Sequence, residues 1–424
     1  EEKMKGAWTR RRFIEWSGRG LAGAGLAGLW LSREGVAKEA ASRVPAWDLG
    51  DDSASPNTML MFRGNPAHTF YGTGPLPDHP RLKWKFHMGG VTLSYKDGTE
   101  TRRWAGTGWT GQPVKWGPRV YVGSQNFNFY AFDAESGKVD WTYRGGRMFK
   151  SSACFYRGRL YSGNVDDHIH CIDAATGKKA WSYKTPTDVD SSPCVANGKL
   201  YVGGESGFLH CLGPETGKLI WKRDLGGREG PPGSCGVESS PAVDRGRVYA
   251  GNFSGDLFCL EAESGERIWK ARTGGDTDSS PVVWEDRVYA AAEEERPYLY
   301  CFAVEDGREL WSFSNRAGWW STPAVKEGRL YIGGQDKKMY CFDAKTGKLH
   351  WTFTAGEAIW SSPSVVDDKV LFGSYDHHLY LLDAMTGKLI WSYKTSERVL
   401  STACVVDGTF WVGNSGGDFY CFGA

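Results

Sequence analysis

Eight tryptophans, Trp84, Trp141, Trp181, Trp221, Trp269, Trp311, Trp351 and Trp391, recur along the chain in steps of 57, 40, 40, 48, 42, 40 and 40 residues. A period near 40 with one aromatic per unit is the spacing of a propeller, because one four-stranded blade takes about 40–50 residues. The last seven tryptophans each close the same short phrase: DAESGKVDW, DAATGKKAW, GPETGKLIW, EAESGERIW, AVEDGRELW, DAKTGKLHW and DAMTGKLIW. The Gly of every copy follows Ser, Thr or Asp, which predicts a tight turn with the Gly at positive φ. Alternating apolar runs precede each phrase and WxY or WxF usually follows it, so the phrase reads as a hairpin between two strands.

Segments of the SSPCVA or SSPAVD type and of the KLYVGG or RVYAGN type supply two further strands per unit. A unit is therefore four strands, A to D, with the Trp on D and available to dock on the neighbouring blade. The last unit (401–406, 409–413, 418–422) stops without a D strand, whereas residues 82–86 form a D strand with no A, B or C before it. The sequence thus predicts an all-β, eight-bladed β-propeller closed by an N-terminal strand that completes the last blade and leaves no edge open. It spans residues 81–424 and acts as a monomer.

These phrases, most of the form A-x-x-G-K-x-x-W, resemble the PQQ-like propeller repeat family over roughly residues 81–424. The resemblance implies two branches. Quinoprotein dehydrogenases hold pyrroloquinoline quinone (PQQ) and Ca²⁺ at the propeller axis. A cofactor-free branch is typified by the propeller lipoprotein of the outer-membrane β-barrel assembly machinery. No vicinal Cys-Cys pair occurs here, nor any run like the dehydrogenases' calcium-ligand and catalytic Asp segments, so none of their functional residues is carried over. No C-x-x-C-H is present either, which leaves haem without support.

Residues 1–42 read as an export segment. Thr9-Arg10-Arg11-Arg12-Phe13-Ile14 fits a twin-arginine pattern, and residues 21–31 form a weakly apolar, Gly-rich stretch too short to span a bilayer comfortably. No clean A-x-A site follows, which leaves cleavage and retention as a membrane anchor both open, and no lipobox Cys lies nearby. The expected location is periplasmic or otherwise extracytoplasmic. Residues 43–80 lack repeat character and are expected to pack along the ring or tether it. A formal net charge of +1 argues against nucleic acid as a partner.

Of ten cysteines, Cys171, Cys211, Cys259, Cys301, Cys341 and Cys421 share one strand-C position, and Cys154, Cys194 and Cys404 share one strand-A position. Strands A and C lie about 9–10 Å apart, beyond disulfide reach. They read as small buried hydrophobes, with Cys235 in a loop as the exception.

Candidate site residues come from the position just before the Ser-Ser or Ser-Thr pair that opens each A strand, where the D-to-A loops face the central channel. Blades two to eight give Lys150, Asp190, Glu238, Asp278, Trp320, Trp360 and Leu400, with Thr110 as the approximate counterpart in blade one. Three consecutive carboxylates suggest a hard cation such as Ca²⁺, with Asp190, Glu238 and Asp278 as metal candidates. Opposing indoles suggest a flat ligand or a sugar, with Trp109 and Trp319 as further aromatic surface. Long loops at 87–109 and 224–238, an acidic insertion at Glu293-Glu294-Glu295, and Arg147, Arg228, Arg316 and Arg398 in D-to-A loops complete the set. His168, His170, His377 and His378 read as turn residues before metal ligands. The seven-fold Ser pairs read as strand-start hydrogen-bonders, not nucleophiles.

The sequence reading is a binding or assembly scaffold in the cell envelope, with a small ligand or a partner protein's peptide at the central funnel and no catalytic residue assigned. The alternatives are a PQQ- and Ca²⁺-dependent alcohol or sugar dehydrogenase and a polysaccharide-binding propeller.

Overall fold

The computed structural model describes residues 58–95, 100–108, 111–226, 236–293, 298–315 and 317–424. The export segment, Trp109, Thr110, Arg228, Cys235, Glu294, Glu295 and Arg316 lie outside them.

Eight four-stranded antiparallel sheets are the blades. Blade 1 is built from Val114–Trp116, Arg119–Gly123, Asn128–Asp133 and Val139–Arg144, and blades 2 to 7 repeat it in chain order. Blade 8 takes Cys404–Val406, Thr409–Gly413 and Asp418–Gly423 from the C-terminal end and adds Arg81–His87 as its D strand. That strand pairs antiparallel with the last one, Trp84 opposite Cys421. The predicted eight-bladed closure is the observed one. The long stretch after Arg81–His87 forms an extra hairpin, Gly90–Tyr95 with Glu100–Ala105.

Blade contacts follow one rule. Seven indoles donate to a backbone carbonyl of the next blade's phrase: Trp84 to Ala134, Trp141 to Ala174, Trp181 to Pro214, Trp221 to Ala262, Trp269 to Val304, Trp311 to Ala344 and Trp351 to Ala384, at 2.9–3.1 Å. The same rings cover the glycine of that phrase. A Cβ on Gly137 would meet Trp84 at 2.5 Å and one on Gly217 would meet Trp181 at 2.7 Å. Each of these glycines has φ near +70°, as the turn requires. The phrase is therefore socket and knob together: Gly and the carbonyl receive one indole, and the phrase's own Trp docks onward. Trp391 faces blade 8, whose C and D strands come from opposite ends of the chain with no phrase between them. It packs on Phe410 and Phe422.

The Ser pairs divide their work. The first hydroxyl clips strand A to strand B of its own blade, as Ser151 to Gly163, Ser239 to Gly251 and Ser401 to Gly413. The second accepts the backbone N–H of the preceding blade: Gln112 to Ser152, Ser152 to Ser192, Ser192 to Ser240, Ser240 to Ser280, Ser280 to Thr322 and Thr322 to Ser362, at 2.9–3.0 Å. This chain of bonds runs around the axis from blade 1 to blade 7.

Residues 58–77 do not lie along the ring; they fill one end of its channel. Met59 bridges Lys115 of blade 1, the Leu60 carbonyl accepts from Phe155 of blade 2, and Met61 joins the core of blades 2 and 3. Pro66 and Ala67 accept from Val243 and Val283 of blades 4 and 5, and Tyr71 accepts from the Val325 N–H of blade 6. The Arg63 guanidinium, 1% exposed, donates to the carbonyls of Pro323 and Pro363 in blades 6 and 7 and stacks on Tyr71. Thr73 exchanges bonds with Asp407 of blade 8. All eight blades are touched, all beside strand A or its exit turn, so the channel is stoppered at that end.

Two expectations need correction. Ring closure does not remove edges: every blade is a separate sheet ending on strand D, whose residues alternate between exposed and half-buried. Blades join through side chains, so the outer edge stays unpaired among the described residues, carrying charges such as Lys179, Lys184 and Arg267 that discourage strand addition. Trp319 adds no surface: it is 0% exposed and packs on Phe313 and Tyr340, at the position that Phe149, Val189 and Val237 hold in other blades. The nine described cysteines are free and buried, with Cys154 and Cys171 on either side of Tyr161 in register, as expected of small apolar residues.

The docking rule makes a paired prediction for equilibrium unfolding. Gly198→Ala, at φ +70° in open space, should cost only the left-handed backbone penalty of about 1–2 kcal/mol. Gly217→Ala, under the Trp181 ring, should cost about 1–3 kcal/mol more.

Candidate functional site

Opposite the stopper the channel opens among the D-to-A and B-to-C loops. One backbone bond, repeated in all eight blades, ties these loops together. In blades 2 to 8 the N–H of an early B-to-C residue donates to the carbonyl two residues before the candidate position: Val165 to Met148, Glu205 to Asp188, Phe253 to Gly236, Glu293 to Asp276, Gln335 to Gly318, Tyr375 to Ala358 and Ser415 to Arg398; in blade 1 Gln125 donates to Gly106, four residues before Thr110, all at 2.8–3.1 Å. Each blade thus presents three positions at the funnel mouth in fixed relation, one of them a glycine in blades 1, 4 and 6.

In blade 3 the three are Asp188, Asp190 and Glu205; in blade 5 they are Asp276, Asp278 and Glu293. Carboxylate oxygens of Asp190, Glu205 and Glu238 of blade 4 lie within 4.8 Å of one another, and so do those of Asp276, Asp278 and Glu293. The three sequence candidates for metal therefore divide between two clusters. Lys150 of blade 2 closes the first cluster, its ammonium 2.5 Å from Asp190 Oδ2. Asp190 Oδ1 is buried and has no hydrogen-bond partner. Glu205, Asp188, Asp276 and the cluster role of Glu293 were missed from sequence, where a single register position was compared. Aligning the units on the second residue after strand B would have found Glu205 and Glu293 together.

The electrostatics follow from burial and crowding. Burial, and then Asp278, Glu205 and Asp190, push the Glu238 carboxyl well above the carboxylate range. Burial and Asp190 raise Glu205. Burial, then Glu205 and Asp190, push Asp188 up to about 7. Burial alone would lower the Lys150 ammonium, but Asp190, Glu205 and Glu238 outweigh it and hold it above its ordinary value.

Blades 6 and 7 bring the half-buried Trp320 and Trp360 together, ring centroids 3.5 Å apart. Tyr375 packs on Trp360 at 4.4 Å, and the Arg398 guanidinium lies over Tyr375 at 5.1 Å. A cleft of about 530 Å³, lined by Arg147, Asp166, Asp167 and Asp188 among others, notches the rim at blades 2 and 3. Another of about 400 Å³ lies at blade 8 beside the extra hairpin, lined by His87, Arg103, Glu397 and Asp418. The histidines are held locally. His170 is bonded to Asp166 and to the Tyr143 hydroxyl, and His168 and His378 to the carbonyls of Asp166 and Asp376.

A family model described as outer membrane protein assembly factor BamB matches residues 82–313 and 296–422. The chain belongs to this PQQ-like propeller family. No curated protein matches it in sequence. Among solved structures, a europium-containing methanol dehydrogenase superposes with a TM-score of 0.73 at 15% identity, covering 88% of this chain and 99% of that one. A quinohemoprotein alcohol dehydrogenase from Comamonas testosteroni gives 0.73 at 14% identity, over 88% and 82%. BamB from Moraxella catarrhalis gives 0.63 at 16%, over 80% and 100%. At such identities the likeness is one of fold, shared by the assembly-factor and dehydrogenase branches of the PQQ-like propellers alike.

The dehydrogenase branch implies Ca²⁺ and PQQ. Three carboxylate oxygens within 4.8 Å are an oxygen donor set that suits a hard cation. PQQ is itself a tricarboxylate. The funnel sets Asp190, Glu205, Glu238, Asp276, Asp278 and Glu293 against a Lys150 already paired with Asp190. This donor set fits the cation and not the quinone.

A carboxyl raised in the folded state contributes stability fully below its unfolded value, about 3.9 for Asp, and loses it as pH rises through the folded value. For Asp188 that window runs from about 4 up to about 7. His68 and His210, lowered by burial to about 3 and about 4, act with opposite sign in an overlapping window. The readout is therefore the difference between wild type and Asp188→Asn. Measured by thermal denaturation without divalent cations, the wild type should lose its advantage as pH rises from about 4 to about 7, and be the less stable of the two above it.

Proposed function

We propose that this propeller is a binding module of the cell envelope whose single open funnel takes a positively charged group, a basic segment of a partner protein or a cationic small molecule. The observation that carries the reading is the funnel's asymmetry. Blades 3 to 5 present buried carboxylates, blades 6 and 7 present an indole pair with Tyr375, and the stopper leaves one entrance. Carboxylates attract and orient a cation, and aromatic faces add cation–π attraction to it. The family match to an outer membrane assembly factor supports the envelope setting and a role in protein binding. An export route through residues 1–42, with or without retention at the membrane, belongs to the same reading.

A second reading, a PQQ- and Ca²⁺-dependent dehydrogenase, is favoured by the carboxylate cluster and opposed by the absence of vicinal cysteines and by the belt's repulsion of a tricarboxylate. Sugar binding by Trp320 and Trp360 is disfavoured because the two rings pack on each other.

A short Lys/Arg-rich peptide should quench indole fluorescence with an affinity that falls as salt rises. Asp278→Asn should weaken it by about tenfold, as expected for loss of a poorly hydrated charge partner, and Glu238→Gln by less, because burial and its neighbours favour the protonated Glu238 carboxyl. Purified protein should be colourless and gain no dye-linked activity with Ca²⁺ and PQQ. A quinone spectrum, or dye reduction abolished by Glu238→Gln, would replace the binding module with the dehydrogenase.

A further inference from the structure

Resting on the reading of the funnel as a site for positive charge, we propose that Asp190, Glu205 and Glu238 hold one hard divalent cation of the calcium class at the junction of blades 3 and 4.

Four observations lead there. The three carboxylates each offer an oxygen within 4.8 Å of the others, which suits Ca²⁺–oxygen distances of about 2.3–2.6 Å around one centre. Asp190 is 2% exposed; its Oδ2 is taken by Lys150, while its buried Oδ1 has no hydrogen-bond partner. A carboxylate oxygen removed from water without a donor is costly unless an ion or donor meets it. Charge decides which. With all three carboxyls ionised, they and the Lys150 ammonium carry two negative charges in excess, which one divalent cation cancels and a monovalent one does not. Position supports the same assignment. The Glu205 backbone is fixed by its N–H bond to the Asp188 carbonyl, and Asp190 and Glu238 stand beside the Ser191–Ser239 and Ser192–Ser240 bonds between blades 3 and 4, so the donors sit on braced backbone.

Lys150 then has a defined role. It occupies one oxygen of Asp190 and turns the other toward the cation, which makes it a positioning residue and not a ligand. Oxygen donors held on three separate loop segments favour Ca²⁺ over Mg²⁺, which demands near-ideal octahedral geometry and keeps several waters. The blade-5 cluster of Asp276, Asp278 and Glu293 serves as an internal control.

Isothermal titration with Ca²⁺ alone, and displacement of Tb³⁺ luminescence by Ca²⁺, read the site without any activity. Wild type should bind Ca²⁺ in preference to Mg²⁺. Glu205→Gln should weaken binding by at least about tenfold, and Glu293→Gln should leave that site unchanged. Both variants should unfold cooperatively, and Glu205→Gln should be at least as stable as calcium-free wild type, since it removes a crowded charge. No Ca²⁺ binding by wild type, or binding lost in Glu293→Gln and kept in Glu205→Gln, overturns the assignment. If Ca²⁺ fails to bind while the basic peptide still does, the cation site falls and the funnel reading stands. If Ca²⁺ binds as expected and the peptide does not, the cation site stands and the peptide reading falls.

Discussion

The structure depends on an indole laid over a glycine. Each blade is a separate sheet with two apolar faces, and among the described residues no backbone ladder crosses from one blade to the next. Cohesion must come from side chains, and it comes in the same form seven times: a Trp ring covers the Gly of the next phrase and donates to the carbonyl beside it. Glycine is required twice over, for its positive φ and for the space its missing Cβ leaves. Because the phrase that receives one indole also supplies the next, the repeat cannot change at one blade without being felt at its neighbour. Blade 8 shows the limit of the rule, since its C and D strands have no phrase between them and Trp391 packs on Phe410, Phe422 and the apolar cluster around them.

Nearer the axis a second system takes over. Ser and Thr hydroxyls link strand starts from blade 1 to blade 7, and residues 58–77 tie the strand exits from inside. Arg63 is the unusual member of that stopper, a fully buried guanidinium held by two proline carbonyls and the Tyr71 ring, which burial lowers to about 10. The stopper makes the channel blind. Whatever the funnel binds must enter past the D-to-A and B-to-C loops, where the loop-to-loop backbone bond is the same in every blade and only the side chains differ. Function is thereby confined to a small set of variable positions on an otherwise uniform ring.

Much of this was legible from the chain. The period gave blade number, the unmatched D strand at residues 82–86 gave the closure, and the cysteine positions gave their burial. One register was legible in part: Lys150, Asp190 and Glu238 fall into one cluster, and Trp320 and Trp360 pack on each other. Trp319 was misjudged because adjacent residues at a strand start point to opposite sides, one into the core and one into the channel. Glu205 was missed because it lies in the B-to-C segment and meets the first register only through the Glu205–Asp188 bond, and Asp276 because only the position two residues after it was compared. The stopper was illegible for a different reason. Residues 58–77 have no periodicity, and their partners are largely backbone groups spread over seven blades.

The sequence by itself determined the repeat: its four strands, its turn glycines, its docking tryptophans and the ring they must close, since these are local patterns copied along the chain. Tertiary structure alone decided which carboxylates share a cluster, which oxygen of Asp190 Lys150 leaves unpaired, and which end of the channel is stopped. Those depend on distances between segments 15 to 334 residues apart, from Asp190–Glu205 to Thr73–Asp407, that only the closed ring brings together.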